Sequence, residues 1–499
     1  MNFIQIKNLR SLRDTGEIEM KKINVLLGSN SSGKSTFLRI FPLLRQSFGK
    51  RINGPLLWCG DDDDYVDFGS FEEALHYHAH GKDDTIRLVF GFFADFVYYR
   101  HVTNEPVQKS RMSGDIKLEF AVSHSQNIMY DYVSEMTIVY KDYNLTMNLS
   151  EKNQVISASL NGDFFEAEQA EQNIFEQMYN EGIFGISLSN IEQTAKKRLM
   201  QILELERNEK VWMDQYVLIL KYVVEDSKPI MLPESREIYD RLAYEKQRNP
   251  EKIQELQKWV YLYELPRFFE RISRYLKTYF MGVSYIAPVR ATAERYYKLR
   301  NLAADEVDCR GKNLPIFLNS LPKGMLEDFQ KWTLENLGFQ VFTSVSEGHV
   351  SLKIQKQGQE KAINLSDAGF GYSQILPIVT QLWYIAANAQ KDRSKIPKTI
   401  VIEQPELHLH PALQAKLMDI IVKIAAQENI YFIVETHSET IINRLGALID
   451  RKKIRHDDIG IVIFNKKFGD DKTRISKSSF DDEGYLKDWP VGFFEPEEE

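Results

Sequence analysis

The stretch that decides the fold is INVLLGSNSSGKST at residues 23–36. Its apolar beginning, Ile23–Leu27, has the length of a buried strand, and the part from Gly28 to Ser35 fits the pattern G-x-x-x-x-G-K-[ST] without a mismatch. Glycines let backbone N–H groups turn inward around phosphates, and a helix that begins near Gly33 adds the positive end of its dipole. The stretch therefore predicts a strand, a phosphate-binding loop and a helix, in that order.

Two side chains of this loop can contact a nucleotide and its metal ion. Lys34 supplies a point charge for the β- and γ-phosphates of a nucleotide, and the Ser35 hydroxyl can be a ligand of Mg²⁺. The alternative interpretation is a glycine turn that matches the pattern by chance. We favour the phosphate site because a second element, far along the chain, agrees with it.

That second element is the sequence IVIEQPE at residues 400–406. An apolar strand that ends in a carboxylate places the acid at the carboxyl-terminal edge of a parallel sheet, beside the phosphates, where Mg²⁺ is held. Glu403 is therefore the candidate metal-side acid. A strand that ends in an exposed glutamate is also common by chance, so this assignment depends on the phosphate loop.

The sequence ETHS at residues 435–438 follows the next apolar strand, at the same edge of the sheet. His437 can there donate to the γ-phosphate or to the attacking water. The alternative is a helix N-cap made by the threonine or the serine, with the histidine incidental. His408 and His410 have the spacing of a possible metal pair, but we favour packing or a contact with a partner.

A turn of small residues, LSDAGFGYSQ at residues 365–374, precedes a predicted helix at Ile375–Ala387. A serine-bearing turn at a helix N-terminus is another anion site. Because the first site already has a phosphate loop, this turn can serve a second nucleotide across a dimer. A plain capped turn would explain the same residues.

The two ends of the chain predict an α/β fold. Thr399–Glu403, Ile430–Glu435 and Ile459–Phe464 have the pattern of buried strands, and Pro411–Ala426 that of a helix with an apolar stripe. Strands that alternate with helices imply a mostly parallel sheet with helices on its faces.

The middle of the chain has a different pattern. Residues 84–153 are predicted to be strand-rich and residues 165–280 helical, with Tyr216–Val224 and Lys252–Phe280 as the stronger helical stretches. We interpret the middle as an insertion in one composite nucleotide-binding domain. The predicted parts are residues 1–160 with the phosphate loop and an antiparallel β subdomain, residues 161–280 as a helical insertion, and residues 281–499 as the second part of the domain.

Composition and net charge argue against some classes of function. The chain has 499 residues, with 63 Lys and Arg against 71 Asp and Glu, so its formal net charge is −8. This balance argues mildly against a nucleic-acid partner, although a local basic patch can exist. Apolar runs are far shorter than the ~20 residues of a membrane span, and the start lacks the apolar core of a signal peptide. Two cysteines form no disulfide framework, so we expect a cytoplasmic protein with no membrane partner.

Taken in order, these motifs resemble the ABC/SMC-like ATPases of AAA type. The resemblance is strongest to the heads of the overcoming-lysogenization-defect (OLD) and RecF-like branch, and more closely to bacterial ATPases with the C-terminal region labelled DUF3696. The segments that carry it are FIQIKNLRSLRDTGEIEMKKINVLLGSNSSGKSTFLR from Phe3, DFGSFEEAL at Asp67–Leu75, YIAPVRATAERYY at Tyr285–Tyr297, LSDAGFGYSQILP from Leu365, IVIEQPELHLHP from Ile400, VETHSETIINRL from Val434 and DWPVGFFEP at Asp488–Pro496. The set is specific in combination, whereas residues 90–280 carry no such motif.

The resemblance implies an ABC-type P-loop ATPase head, with a mostly parallel sheet, an antiparallel β subdomain and a large, mostly helical insertion. It also implies which residues bind ATP: Asn30, Ser32, Gly33, Lys34, Ser35 and Thr36 of the Walker A loop and, in the opposing protomer, Ser366, Asp367 and Gly369 of a signature loop. Mg²⁺ would be held by Ser35 and Glu403, and His437 would be the switch histidine. Because ATP would be sandwiched between two heads, a homodimer or higher oligomer is expected.

One departure from this family concerns the catalytic acids. Relatives commonly place two acids together, the second of which polarises the attacking water, but here the second position is Gln404. An amide cannot accept a proton, although it can orient water. Either Glu406 takes over as the base, or hydrolysis is slow and the protein dwells in the ATP-bound state. A glutamine introduced to trap ATP is a third interpretation, and we favour a natural glutamine.

We therefore expect an Mg²⁺-dependent ATPase that acts as an ATP-gated dimeric switch or scaffold. By family analogy alone, it would be the sensor or regulatory subunit of an anti-phage defence system that controls a separate effector such as a nuclease. The chain after His437 is short for a Toprim nuclease domain, so no nuclease is expected in the chain itself. The alternative is a RecF/SMC-like DNA-binding ATPase in DNA repair, which needs a basic surface over the closed heads.

Overall fold

The computed structural model describes the chain from Met1 to Asp488 with gaps. The residues outside the described part are 62–63, 80, 82–83, 101–107, 126, 128, 168–182, 204–212, 225–232, 289, 291, 299–303, 305, 390–395, 467–472 and 489–499. Two compact units divide the chain. The first consists of Met1–Gln5, Ile52–Leu56 and His78–Lys277, and the second of Ile6–Arg51, Leu57–Tyr77 and Thr278–Glu499. The DWPVGFFEP motif lies outside the described residues except for Asp488.

A seven-stranded sheet forms the centre of the second unit. Its strands in spatial order are Val283–Ile286, Lys398–Glu403, Ile430–Glu435, Ile23–Gly28, Ile459–Asn465, Arg474–Phe480 and Leu486–Lys487. The first five run parallel to one another, and the last two are antiparallel to their neighbours. This arrangement confirms the predicted α/β class and the mostly parallel sheet.

The parallel strands are buried on both faces, which explains their composition. Ile23–Gly28 is buried at every residue, and Ile430–Glu435 at every residue except Tyr431. Such strands carry continuous runs of Ile, Val and Leu rather than an alternating pattern. The helices of this unit are Lys34–Gly49, Phe71–Ala74, Leu314–Ser320, Lys323–Leu337, Phe370–Ala389, Pro411–Ala425 and Glu439–Asp450, with 3-10 turns at Leu365–Asp367 and His456–Asp458.

The predicted elements of the second unit agree with the structure to within a few residues. The helix predicted at Pro411–Ala426 ends at Ala425, and the one predicted at Ile375–Ala387 begins earlier, at Phe370. A smaller sheet was not predicted. Its strands are Tyr297–Lys298, His349–Lys356, Phe339–Ser346 and Ile363–Asn364. The short strands Leu12–Asp14 and Ile18–Glu19 follow Phe3–Leu9 near the amino terminus.

The first unit combines antiparallel strands with helices. Its consecutive strands are Thr85–Arg100, Gln108–Ser125, Tyr130–Tyr140, Tyr143–Leu149, Val155–Leu160 and Asp163–Glu166, each paired antiparallel with the next. Its helices are Ser189–Leu203, Met213–Val224, Pro233–Arg248 and the part of Pro250–Met281 up to Lys277, with a 3-10 turn at Ile183–Gly185. The strand-rich and helical stretches are thus confirmed, whereas the three-part division of the chain stays a prediction. Of the helices described, none combines the length and apolar character that crossing a membrane requires.

Candidate functional site

The predicted phosphate loop lies between the strand Ile23–Gly28 and the helix Lys34–Gly49. The φ angles of Gly28 and Gly33 are +150° and +98°, in the region that disfavours side chains. A Cβ at Gly28 would lie 2.1 Å from the carbonyl oxygen of Phe464, and one at Gly33 would lie 2.6 Å from a methyl carbon of Leu12. Backbone conformation and close packing therefore both require glycine at these two positions.

Lys34 is buried at the start of the helix, with 3% of its surface exposed. Its Nζ donates to the carbonyl oxygens of Gly28, at 3.0 Å, and Ser29, at 2.7 Å. Burial lowers the pKa of Lys34, and the charges of Glu435 and Glu406 act in the opposite direction. Hydrogen bonds between two charged groups are stronger than those to neutral carbonyls, so a phosphate oxygen at the loop would compete well for this ammonium.

The other predicted residues of the loop differ in their exposure. Asn30 is exposed and Thr36 is half-buried, whereas Ser32 is fully buried. The Ser32 Oγ has no hydrogen-bond partner among the described residues, and the backbone carbonyl of Ser32 accepts from Thr473 Oγ1 at 2.9 Å. A buried hydroxyl without a partner is costly, so Ser32 has a hydrogen bond available for a ligand.

Ser35 contacts an acid that the sequence prediction did not include among the site residues. Its Oγ donates to Oε1 of Glu435 at 2.9 Å, between the start of the helix and the end of the neighbouring strand. Glu435 is 1% exposed, and its Oε2 has no hydrogen-bond partner among the described residues. Burial, and then the nearby charge of Glu403, raise the pKa of Glu435 to about 7.

Glu403, the predicted metal-side acid, ends the next strand outward and is 3% exposed. Arg39 donates to both of its carboxylate oxygens, from Nη2 at 2.6 Å and from Nε at 3.0 Å. The hydroxyl of Tyr285 donates to Glu403 Oε2 at 2.7 Å. Because Arg39 lies on the same helix as Lys34, this ion pair joins the phosphate-loop helix to the strand end. The role of Glu403 as a metal ligand stays a prediction.

Glu406 and His437 meet where the acidic strand and the next strand end. Glu406 accepts from the Thr436 hydroxyl at 2.8 Å and from the backbone N–H of His437 at 2.7 Å. Burial raises the pKa of Glu406, whereas burial and then the charge of Lys34 lower the pKa of His437. The Glu406 carboxylate therefore fixes the backbone that carries the histidine, and its role as a base stays a prediction.

Gln404 has a φ of +44°, which is unfavourable for a residue with a side chain. Its backbone N–H donates to the carbonyl of Glu435 at 2.9 Å, and its carbonyl accepts from Arg290 Nη2 at 3.5 Å. Arg290 is 3% exposed, and burial lowers its pKa to about 10. Neither Arg290 nor Arg39 was predicted as a site residue, although both lie in the motifs that carried the resemblance.

The remaining polar residues of these motifs have structural contacts. Ser438 caps the helix Glu439–Asp450, since its Oγ accepts from the N–H of Ile441 at 3.2 Å. His410 caps the helix Pro411–Ala425, and the ring of His408 packs edge-on against Phe370 at 4.8 Å between centroids. These contacts agree with packing, rather than metal binding, for the two histidines.

The predicted signature loop forms a turn before the helix Phe370–Ala389. The Ser366 hydroxyl donates to Asn364 Oδ1 at 2.9 Å, and Asp367 forms an exposed ion pair with Arg295 at 2.7 Å. Gly369 has a φ of +104°. Among the described contacts, those of Ser366 and Asp367 connect the turn with itself and with Arg295. Their role across a dimer stays a prediction.

Oxygen atoms that could bind Mg²⁺ lie at the start of the helix Lys34–Gly49 and at the end of the strand Ile430–Glu435. This ion is usually held by one or two carboxylates together with substrate phosphates, rather than by a cage of protein ligands. Over the described residues, no group of three or more His, Cys, Asp and Glu side chains could hold a metal ion. The hydroxyl of Ser35 and the buried carboxylate of Glu435 fit such a shared site, because oxygen ligands are what Mg²⁺ requires.

Comparison with known proteins gives one family match. A family model described as AAA ATPase domain matches residues 1–442. No curated protein matches the chain. One similar solved structure is an Smc head domain with an extended coiled coil bound to the C-terminal domain of ScpA, derived from Pyrococcus furiosus, at 12% identity and a TM-score of 0.33. Another is an Smc head bound to the C-winged helix domain of ScpA, at 11% identity and a TM-score of 0.34. The first comparison covers 96% of each chain, and the second 96% of this chain and 97% of the other.

Proposed function

This chain belongs to the AAA ATPase domain family, and we propose that it is an Mg²⁺-dependent ATPase that works as an ATP-gated switch. The observation that carries the proposal is the convergence of the phosphate loop with buried acids. Lys34, Ser35 and Glu435 lie at one edge of the sheet, joined by the hydrogen bond between Ser35 and Glu435. Such an arrangement suits a magnesium–triphosphate.

The residues of the loop would act on the triphosphate by position and charge. The Lys34 ammonium would exchange its two loop carbonyls for β- and γ-phosphate oxygens, and the loop N–H groups would surround the phosphates. Bound magnesium would supply positive charge to the same oxygens, held by Ser35 with a carboxylate from Glu403 or Glu435. Burial lowers the pKa of both Lys34 and His437, and the charge of Lys34 lowers that of His437 further, so the two side chains lie in a desolvated site where a phosphate charge would be strongly felt.

The water-activating step is where this chain departs from related ATPases. Gln404 can orient water but cannot accept its proton, and Glu406 is already engaged by Thr436 and His437. We therefore propose slow hydrolysis and a long-lived ATP-bound state. His437 would contact the γ-phosphate, because Glu406 fixes its backbone at the strand edge.

The test is phosphate release from ATP with magnesium. Lys34→Ala removes the only charge that the loop itself offers and should reduce turnover to background. Lys331→Ala, on the exposed face of the helix Lys323–Leu337, is the matched control and should leave turnover unchanged. Equal turnover in the Lys34→Ala variant and the wild type would refute the proposal.

We also propose that two heads close around ATP as a homodimer, with Ser366, Asp367 and Gly369 reaching the opposing nucleotide. Support comes from the exposure of Ser366 and Asp367 in a turn before a long helix. Light scattering should show a dimer with ATP and magnesium, and Ser366→Arg should prevent it by filling the turn with a large cation. A dimer that forms equally in Ser366→Arg would contradict this arrangement.

Control of a separate effector, such as a nuclease, in anti-phage defence extends this proposal and rests on the family resemblance. The ATP-gated state would be the signal that the effector reads. Phage challenge of cells carrying the natural gene neighbourhood tests it, since Lys34→Ala should abolish protection. Full protection by the Lys34→Ala variant would contradict a nucleotide-gated role.

A further inference from the structure

The contact between Ser35 and Glu435 assigns a function to an acid outside the phosphate-loop motif. We infer that Glu435 is a positioning residue for magnesium: it holds the Ser35 hydroxyl so that the oxygen lone pairs stay available to the metal. This inference rests on the proposed function, because it concerns the same nucleotide site. It adds a residue that neither the loop nor the strand at Glu403 supplies.

The chemistry of the hydroxyl supports this role. A serine hydroxyl has one proton to donate and two lone pairs to offer. In the structure that proton is directed to Glu435 Oε1 at 2.9 Å. When it is ionised, as it would be beside bound magnesium, the Glu435 carboxylate can only accept, so it fixes the direction of the Ser35 O–H bond. With its O–H bond fixed in this way, the Ser35 oxygen directs its lone pairs away from Glu435, where a metal ion can bind them.

The place of Glu435 in the sheet explains why it reaches Ser35. Its strand, Ile430–Glu435, pairs directly with Ile23–Gly28, the strand that leads into the loop. Glu403 ends the strand one position further out, with Glu403 and Glu435 as register partners. The nearer strand therefore supplies the acid that contacts the loop helix at its first turn.

Glu403 and Glu435 also differ in the hydrogen-bond partners of their carboxylate oxygens. Glu403 accepts from both nitrogens of Arg39 and from Tyr285, so a cation and a phenol already satisfy its carboxylate. Glu435 uses one oxygen for Ser35 and keeps a buried Oε2 with no partner among the described residues. Of the two acids, Glu435 is therefore the one whose hydrogen bond is directed at the candidate metal ligand Ser35, whereas the hydrogen bonds of Glu403 are directed at Arg39 and Tyr285.

The effect expected on removing Glu435 follows from the behaviour of other residues that hydrogen-bond to a metal ligand. Groups that orient a metal ligand typically change metal affinity by about 10–100-fold when they are removed. Glu435→Ala should therefore reduce the magnesium-dependent gain in nucleotide affinity by about that factor. Nucleotide affinity without magnesium should be kept, because Lys34 and the loop N–H groups remain.

The experiment measures the affinity of a fluorescent N-methylanthraniloyl-ATP for the full chain, once in EDTA and once in excess magnesium. The ratio of the two dissociation constants is the magnesium gain. Manganese electron paramagnetic resonance of the same complexes counts bound metal directly, without any turnover. Glu439→Ala is the matched control, because Glu439 is exposed at the start of the following helix.

A double-variant cycle shows whether Glu435 acts through Ser35. Ser35→Ala should lose the same magnesium gain, and Ser35→Ala combined with Glu435→Ala should lose no more than either change alone. A full gain in Glu435→Ala would overturn the inference. So would losses that add, or a loss of the same size in EDTA, since each would show a role other than orienting Ser35.

Measurements on the wild-type chain distinguish a failure of this inference from a failure of the proposed function. If the wild-type chain takes up no nucleotide in either buffer, the proposed function fails. If the wild type gains affinity with magnesium and Glu435→Ala gains as much, only the role of Glu435 fails.

Discussion

Removal of the Arg39 guanidinium is the perturbation with the clearest energetic consequence. Arg39→Ala leaves the Glu403 carboxylate, which is 3% exposed, without its cation. Breaking a fully buried ion pair by deleting one partner costs about 3–5 kcal/mol. The Arg39 side chain is 31% exposed, which reduces the expected cost by about a third, to about 2–3 kcal/mol. Tyr285 still donates to one oxygen, so the lower end of this range is expected.

The assay is urea denaturation of the nucleotide-free chain, with the free energy of unfolding as the readout. Arg451→Ala, at an exposed position after the helix Glu439–Asp450, is the matched control and should change stability by less than about 0.5 kcal/mol. Arg39→Ala combined with Glu403→Gln should recover part of the loss, because a neutral amide is cheaper to bury than an unpaired carboxylate. A change in Arg39→Ala as small as that of the control would refute the reasoning.

Three further predictions concern the same edge of the sheet. Because the pKa of Glu435 is about 7 in the folded chain against an ordinary 4.5, the folded state keeps a proton that the unfolded state releases. The contribution of Glu435 to stability without metal should therefore be fully present below about pH 4.5 and be lost as pH rises through about 7. Glu435→Gln should flatten that fall in denaturation series, and an unchanged slope would contradict the assignment. Gly28→Ala should prevent nucleotide binding, since its Cβ would meet a carbonyl oxygen at 2.1 Å, whereas Gly324→Ala, with no atom within 4 Å, should be tolerated in thermal and binding assays. Glu406→Gln should reduce phosphate release from ATP with nucleotide binding kept, because the carboxylate fixes the backbone of His437, and unchanged release would contradict that role.

The phosphate loop could be predicted from the sequence because its chemistry is local. Glycine positions, the lysine and the serine all lie within Gly28–Ser35, and the strand before them is an unbroken apolar run. Glu435 could not be assigned in the same way, because its proximity to Ser35 depends on strand order. The predicted strands Thr399–Glu403 and Ile430–Glu435 both end in a glutamate, and only the pairing of Ile430–Glu435 with the loop strand distinguishes them.

Two other features were not predicted, one with a local signal in the sequence and one without. The hairpin Phe339–Ser346 and His349–Lys356 was not predicted, although Glu347-Gly348 between its strands has the positive φ angles of a two-residue hairpin turn. The contact of Glu406 with the loop at His437 joins the ends of two neighbouring strands, which no sequence spacing specifies. Motifs therefore identify the chemical groups, and the sheet order decides which of them meet.

The central claim is that the phosphate loop and the buried strand-end acids form one magnesium–nucleotide site. Calorimetric titration of ATP with magnesium into the full chain tests it most directly. The account predicts saturable binding in the wild type and none in Lys34→Ala at the same concentrations. No heat of binding in a folded wild-type chain, or the same affinity in Lys34→Ala, would contradict it.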